Sequence, residues 1–431
     1  MRRRRMTAST RPGWRRALAP ARLAPYALPV LAPLVQPAAA QERTRQVTLN
    51  EAIELFGRNS LELRIARAEA MSASGATRQS KAYSNPGFTV VHEDLGSGAE
   101  DNRETTVGVE QRLEWPGRTS ARARAATHRI EAAQAAFVSD SARLLFEVRR
   151  AYAAAWAAEA RERALERATR IIARVADAAE SRFAAGDISG YEVRRLRLER
   201  VRSDQELAEA GLQSSSGRRA LAALVLPESE VRELGPAQPL AGEPPDIPLG
   251  PALEALPARP DLLAAERGVE AARAELSVAS AGWVPDPTIS LGYKEQADRF
   301  SGAVLGLSIP VPLFDRNGGA TDAARGRHAA ASAALGLRRR EARNDLLAAH
   351  ERHVSTRAGL AAGAGLLDDA DALLEAAETA YTEGEIGLVE LLDAARAFRD
   401  AGTTAVALQA DAWIAYYDML RAMGRASEEI R

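Results

Sequence analysis

The 431-residue chain has no cysteine at all. That excludes disulfides, thiol nucleophiles, cysteine-ligated metal and a lipid-modified cysteine anchor. Aromatic residues make up only 5% of it, little for a protein built around one large globular core. Net charge is −1, so no basic surface argues for a nucleic-acid partner. No stretch reaches the ~18 consecutive apolar residues of a spanning helix. Catalytic signatures are missing too: there is no GxSxG, P-loop or dinucleotide fingerprint, so neither enzymatic chemistry nor a cofactor is expected. His350 and His353 share one helical face, but two imidazoles without a third ligand are weak evidence for zinc. They read as a surface pair, His92 stands alone, and no metal site is assigned.

What is present is Ala, Leu, Arg and Glu in quantity, with charged residues at 27%, a composition that favours long, surface-rich helices. The start of the chain differs. Arg2 to Arg5, Arg11, Arg15 and Arg16 precede a short apolar run, LAPYALPVLAPLV (23–35), and then PAAAQE, with Ala38 and Ala40 as the small residues of a cleavage point. This is the layout of a secretory signal peptide covering residues 1–40, removed after about Ala40. The mature chain is expected to be exported.

The remainder is one plan written twice, over 41–246 and 247–431. Each half opens with a helical segment, from Leu49 and from Leu249, closed by Asn85-Pro86 and Asp286-Pro287. Each then alternates with period two: FTVVHEDL and TTVGVEQRLEW in a hairpin at 86–115, TISLGYKEQ and GAVLGLSIPVPLF in a hairpin at 287–313. Long helical stretches follow. Residues 117–183 hold no proline and no glycine after Gly117, enough for roughly 100 Å of helix at about 1.5 Å per residue. Gly318 to Tyr381 is nearly as long. Leu165, Ala168, Ile172, Val175 and Ala179 recur at the 3-4 spacing of a coiled-coil seam, as do Leu366, Ala370, Leu373, Ala377 and Ala380.

In the strands Phe88 and Val90, then Val107, Val109, Leu113 and Trp115, share a face, opposed by Thr89, Glu93, Gly108 and Glu110. In the second hairpin Ile289, Leu291 and Tyr293, then Leu305, Leu307 and Ile309, do the same. Runs of about ten residues with this alternation suit a barrel wall in a membrane. Four strands cannot close a barrel, so eight from two chains or twelve from three would be needed; a soluble half-buried sheet fits the pattern equally well.

The order helix, hairpin, long helix, tip, helix, repeated after a signal peptide, resembles the TolC-like outer-membrane efflux family, closest to its heavy-metal (CzcC- or CusC-like) branch. The resemblance covers residues 45–428 and is carried most specifically by two tip motifs, RFAAGDISGYEVRRLRLE and AYTEGEIGLVELLDAARAF, with EQRLEWPGRTSAR and SIPVPLFDRNGGA at strand-to-helix junctions. It implies a mainly α protein with a small β part: a homotrimeric α-helical barrel joined to a 12-stranded β-barrel in outer-membrane lipid. It implies a passive exit duct of a tripartite efflux system for heavy-metal cations or small toxic compounds, partnered by a periplasmic adaptor and an inner-membrane pump of the RND type. A type I secretion duct and an exported coiled-coil adaptor or scaffold outside the membrane are the rivals.

The tips, at 184–190 and 382–388, align with an offset of 198 residues between Gly186 and Gly384. Each glycine reads as a left-handed helix end, with Asp187 or Ser189 capping the next helix in the first copy. The resemblance implies that Gly186, Asp187, Ile188 and Ser189, with Gly384, Glu385, Ile386 and Gly387, dock the adaptor. It further implies that Glu390 and Asp393 ring a periplasmic aperture gated by Tyr381. Three residues apart, the two acids share a helix face. In the first copy Glu192 matches Glu390, but Arg195 replaces the aspartate.

Overall fold

The computed structural model describes residues 44–96, 101–227 and 233–425. The expected signal peptide, and residues 97–100 between the strands of the first hairpin, lie outside the described residues.

Within them the chain runs β1 (Arg45–Val47), α1 (Leu49–Asn59), α2 (Leu61–Lys81), β2 (Gly87–Gly96), β3 (Asp101–Arg112), α3 (Pro116–Ala185) and α4 (Gly190–Val225). The second half continues with β4 (Leu234–Pro236), α5 (Leu249–Ala255), α6 (Pro260–Ala281), β5 (Thr288–Gln296), β6 (Ser301–Ser308), α7 (Gly318–Ala362), α8 (Leu366–Glu383) and α9 (Leu388–Ala422). The two halves therefore repeat one plan: helical lead-in, hairpin, long ascending and returning helices.

Helix α3 is 70 residues long because nothing in its sequence stops it. Proline occupies its first turn, where a missing N–H costs nothing, and glycine ends it. Its seam is as expected: Leu165, Ala168, Ile172, Val175 and Ala179 are all buried. The second long stretch departs from expectation. It breaks into α7 and α8 at Gly363-Ala364-Gly365, where Gly365 takes φ 86°, a left-handed conformation that side chains disfavour. Leu408 packs so closely on Gly363 that a Cβ there would stand 2.6 Å from its Cδ1. The seam within α8 also differs from expectation: Leu374 is buried and Leu373 is 51% exposed, so the core stripe is Ala370, Leu374, Ala377 and Tyr381. Each lead-in is likewise two helices rather than one. Ser60 accepts from the Leu63 N–H and restarts α2, and Pro260 opens α6 after a 3₁₀ turn at Leu256–Ala258.

The hairpins join into one antiparallel sheet in the order β2-β3-β5-β6. Strand β6 ends at Ser308, short of the expected span, because Pro310 and Pro312 have no N–H to give a ladder. Beneath the sheet, Asp286 is buried and accepts from Arg112 at 2.9 Å and Arg118 at 3.0 Å, and the Leu113 N–H donates to the Pro287 carbonyl at 2.8 Å. The exit of one hairpin is thus fastened to the entry of the other.

Two segments escaped the sequence reading. Strands β1 and β4 pair in parallel, burying Val47 and Leu234 in a core with Phe56, Leu145, Tyr152, Trp156, Leu221 and Tyr417. The segment between the halves, 237–248, then crosses α3, α7 and α9 as a strap. Gln409 and Trp413 donate to the Gly242 carbonyl at 2.6 and 3.3 Å, and Arg357 holds Glu243 and Asp246 at 2.5 Å each. The strap buries His353 completely, with Nε2 3.0 Å from the Pro245 carbonyl. The expected surface pair His350/His353 is therefore not one: the cover comes from residues 108 positions away, beyond any helical pattern.

Burial pushes the His353 imidazole below its ordinary value of 6.5. The unfolded chain then takes up the proton first, so stability falls as pH drops through about 6.5 towards the folded value. His353→Leu, which strands the Pro245 carbonyl, is expected to be less stable than the parent at about pH 7.5 but to lose less on going to about pH 5.5. Urea midpoints at the two pH values test this, and equal pH slopes for parent and variant would refute it.

Candidate functional site: the helix tips and the sheet face

Both tips are built by the same backbone device. Gly186 has φ 86° and Gly384 φ 79°. At the first, the Asp187 N–H returns to the Arg182 carbonyl at 2.9 Å; at the second, the Glu385 N–H returns to the Ala380 carbonyl at 2.8 Å. A Cβ on either glycine would meet nothing within 4 Å, so the dihedral, not space, requires glycine there.

The tips differ one turn later. Ser189 caps α4 through a capping box: Glu192 N–H donates to its Oγ, while Glu192 Oε2 accepts from the Ser189 N–H at 2.9 Å. The cap is Ser189, not Asp187. In the second tip Gly387 takes the cap position with no side chain to offer. Glu390 leans back over it, its Oε2 3.0 Å from where a Gly387 Cβ would stand. The Glu192 carboxylate is thus committed to the first cap, and its counterpart Glu390 is exposed without one.

Glu390 and Asp393 both face solvent on α9. Tyr381 does not join them. It is buried on α8 among Ile172, Val175, Leu196, Leu391 and Leu392, with the Arg182 guanidinium 5.1 Å from its ring centroid. Its hydroxyl, also buried, has no hydrogen-bond partner. Ile188 and Ile386, one from each tip, pack against this same cluster.

Behind the tips lies an ion pair that sequence reading missed. Glu199 of α4 is buried and receives both arms of Arg396 of α9, Nε to Oε1 at 2.9 Å and Nη2 to Oε2 at 2.6 Å, with Arg399 3.9 Å away. The Arg396 hydrogen bonds hold the Glu199 carboxyl below its ordinary value despite burial. Arg396 also approaches Asp393 at 3.5 Å. A readable signal existed: Glu199 sits in the buried register of α4 with Val193, Leu196 and Ser203. Its partner, 197 positions on, left no such mark.

The sheet supplies the second feature. Cross-strand pairing sets Phe88, Val109, Leu291 and Leu305 in one row, with Val90, Val107, Tyr293 and Ala303 on one side and Gln111, Ile289 and Leu307 on the other. Paired residues point to the same face, so these rows form one apolar surface. It is open to solvent in the single chain, Leu305 at 77% and Phe88 at 72%. Leu113, Trp115, Ile309, Val311 and Leu313 continue exposed apolar surface at the helical end. The opposite face is more polar: it carries Glu110, Ser290 and Gly306, then Thr89, Gly108 and Gly292 with Val304, then Thr106 and Lys294 with Val91, and a Lys294–Glu104 ion pair, with Leu95 towards the hairpin end. Among the described residues β2 and β6 each pair on one side only. Among the described residues no helix is long and apolar enough to cross a membrane.

One cluster of possible metal ligands occurs among the described residues, at His128, Glu131 and Glu270. The sequence signal, His128-x-x-Glu131 on α3, was present, but the third ligand comes from α6.

Comparison with known proteins agrees with this architecture. The family model described as outer membrane efflux protein matches residues 52–225 and 253–425, the two repeats in turn. The cobalt-zinc-cadmium resistance protein CzcC of Cupriavidus metallidurans is 31% identical over 375 residues, covering 84% of this chain and 86% of the relative. The nickel and cobalt resistance protein CnrC of the same organism is 30% identical over 64% of this chain and 67% of its own. The Campylobacter jejuni CmeC outer membrane channel superposes with TM-score 0.77 over 89% of this chain and 87% of that one, at 15% identity, a likeness of fold.

Proposed function

The chain belongs to the outer membrane efflux protein family, and on that premise we propose that it is the passive exit duct of a tripartite efflux system for heavy-metal cations. The observation that carries the reading is the sheet: one apolar face, one more polar face rich in glycine and two edges that pair with nothing among the described residues, mounted on helix α3, which is about 100 Å long. Unpaired backbone edges have no place in lipid, where no water satisfies them. Closure therefore comes from further copies, β6 of one chain meeting β2 of the next. Three copies give twelve strands, and the glycines on the polar face (Gly108, Gly292, Gly306) leave the lumen open rather than filled. The apolar face meets outer-membrane lipid. The helices form a periplasmic tunnel, and the chain is delivered by the signal peptide at 1–40.

The tips at Gly186–Ser189 and Gly384–Gly387 meet a periplasmic adaptor, which links the duct to an inner-membrane pump of the RND type. Glu390 and Asp393 ring the aperture around the threefold axis, six carboxylates in all, with Tyr381 packed behind them as the wedge that sets the tilt of α9. The duct does no chemistry; the adaptor biases a closed-to-open equilibrium of the tips. The cargo reading draws on the cobalt, zinc, cadmium and nickel named for the relatives.

Two experiments test this. Deleting the chain from its host is expected to raise sensitivity to zinc, cobalt or cadmium more than to drugs measured in parallel; drug sensitivity alone would remove the metal cargo. At the aperture, Glu390→Ala combined with Asp393→Ala is expected to raise passive conductance in planar bilayers and abolish block by divalent cations. Unchanged conductance and block would remove both residues from the gate.

A further inference from the structure

We propose that His128, Glu131 and Glu270 form a binding site for a divalent transition-metal ion, of the zinc or cobalt class, between α3 and α6. One ligand atom from each lies within 4.8 Å of the other two. His128 and Glu131 are one turn apart on α3, with Nδ1 3.2 Å from Oε2. Glu270 reaches across from α6. A cavity of about 300 Å³ opens beside them, lined by His128, Glu270 and Ser277 and also by Arg124 and Arg273, whose charges an entering cation must displace or screen.

The donor set selects the ion. An imidazole with two carboxylates is a borderline-hard set that suits zinc, cobalt or nickel; calcium and magnesium prefer oxygen alone. Three protein ligands leave a fourth position for water, and the cavity has room for it. Ligand atoms up to 4.8 Å apart are wider than a tetrahedral site, whose edges are about 3.3 Å at metal–ligand distances near 2.0 Å. The side chains are half-exposed and close that gap by rotation.

A cation already serves these carboxylates. Arg267 lies 2.7 Å from Glu270 and 3.6 Å from Glu131. Guanidinium and metal ion therefore exclude each other, and the Arg267 side chain, 48% exposed, has a path into solvent when the metal enters. The site is a switch between two cations: with Arg267 in, α3 and α6 are joined by a flexible ion pair; with the metal in, they are joined by coordination. α3 leaves the sheet from β3 and α6 leads into β5, so the metal would staple the two repeats below the sheet. The site does not depend on what the duct conducts.

The test uses the full mature chain in detergent, stripped with a chelator and titrated with cobalt(II), followed by visible absorption and calorimetry. One cobalt per chain is expected, displaced by zinc and not by magnesium. His128→Ala and Glu270→Gln are each expected to weaken binding roughly tenfold or more, while Arg267→Ala tightens it by removing the competitor. Cobalt is also expected to raise the unfolding temperature of the parent and not of His128→Ala. No saturable binding, binding indifferent to His128→Ala and Glu270→Gln, or weaker binding in Arg267→Ala would each overturn the site. Loss of the site would leave the duct reading intact, since that is decided by oligomer and sensitivity measurements.

Discussion

Arg396→Ala is expected to destabilise the helical part of the protein by about 2 kcal/mol. Stripping a partner from a fully buried pair costs roughly 3–5 kcal/mol, because the other charge is left without water or counter-charge. Here the Glu199 side chain is 7% exposed, but Arg396 is 32% exposed and Arg399 remains 3.9 Å away, which lowers the figure. The loss comes mostly from stranding Glu199, so a double change to leucine, Glu199→Leu with Arg396→Leu, is expected to recover most of it. Urea unfolding followed by circular dichroism separates the two cases; a double variant as unstable as Arg396→Ala would show that the pair itself, not the stranded charge, matters.

The same pair carries a pH signature. Hydrogen bonds from Arg396 hold the Glu199 carboxyl below its ordinary value of 4.5. A depressed acid stabilises the fold above the unfolded value, and that contribution fades as pH falls through 4.5 and below. The gap between parent and Arg396→Ala is therefore widest near neutrality and narrows in acid. Because the pair ties α4 to α9 behind the two tips, its loss is also expected to raise the open fraction of the channel in planar bilayers.

Much of this molecule was legible in its sequence because its elements are governed by local rules. A helix of 70 residues needs only the absence of glycine and proline, and Gly186 and Gly384 announce their own conformation. The sheet face was legible for the same reason: period two assigns faces without knowledge of partners. What was hidden depends on residues far apart. His353 looks like a surface residue until the strap covers it. Glu199 looks like a misplaced charge until Arg396 arrives. Tyr381, expected beside the acids, is drawn into the core because it shares the buried stripe of α8 with Ala370, Leu374 and Ala377, a register one residue off the expected one at Leu373. The β1–β4 pair was missed since three-residue strands carry no period to read.

Leu291→Arg is expected to have the largest effect of all, abolishing stable insertion while leaving the helices folded. Leu291 pairs with Val109 on one side and Leu305 on the other, at the middle of the apolar rows. An arginine on the lipid side of a barrel costs about 2–4 kcal/mol near the bilayer midplane. In a trimer the change occurs three times in one barrel, so the total is roughly 6–12 kcal/mol, comparable to a whole domain's stability. Ser290→Arg is the control. One residue away, it points to the opposite face beside Glu110 and Gly306, where a polar lumen admits a charge and affects only conduction. The expected result is a heat-modifiable oligomer in the outer-membrane fraction for the parent and Ser290→Arg, and none for Leu291→Arg. Equal insertion of both arginine variants would mean that the sheet face does not meet lipid, and the exported scaffold that stays outside the membrane would take the duct's place.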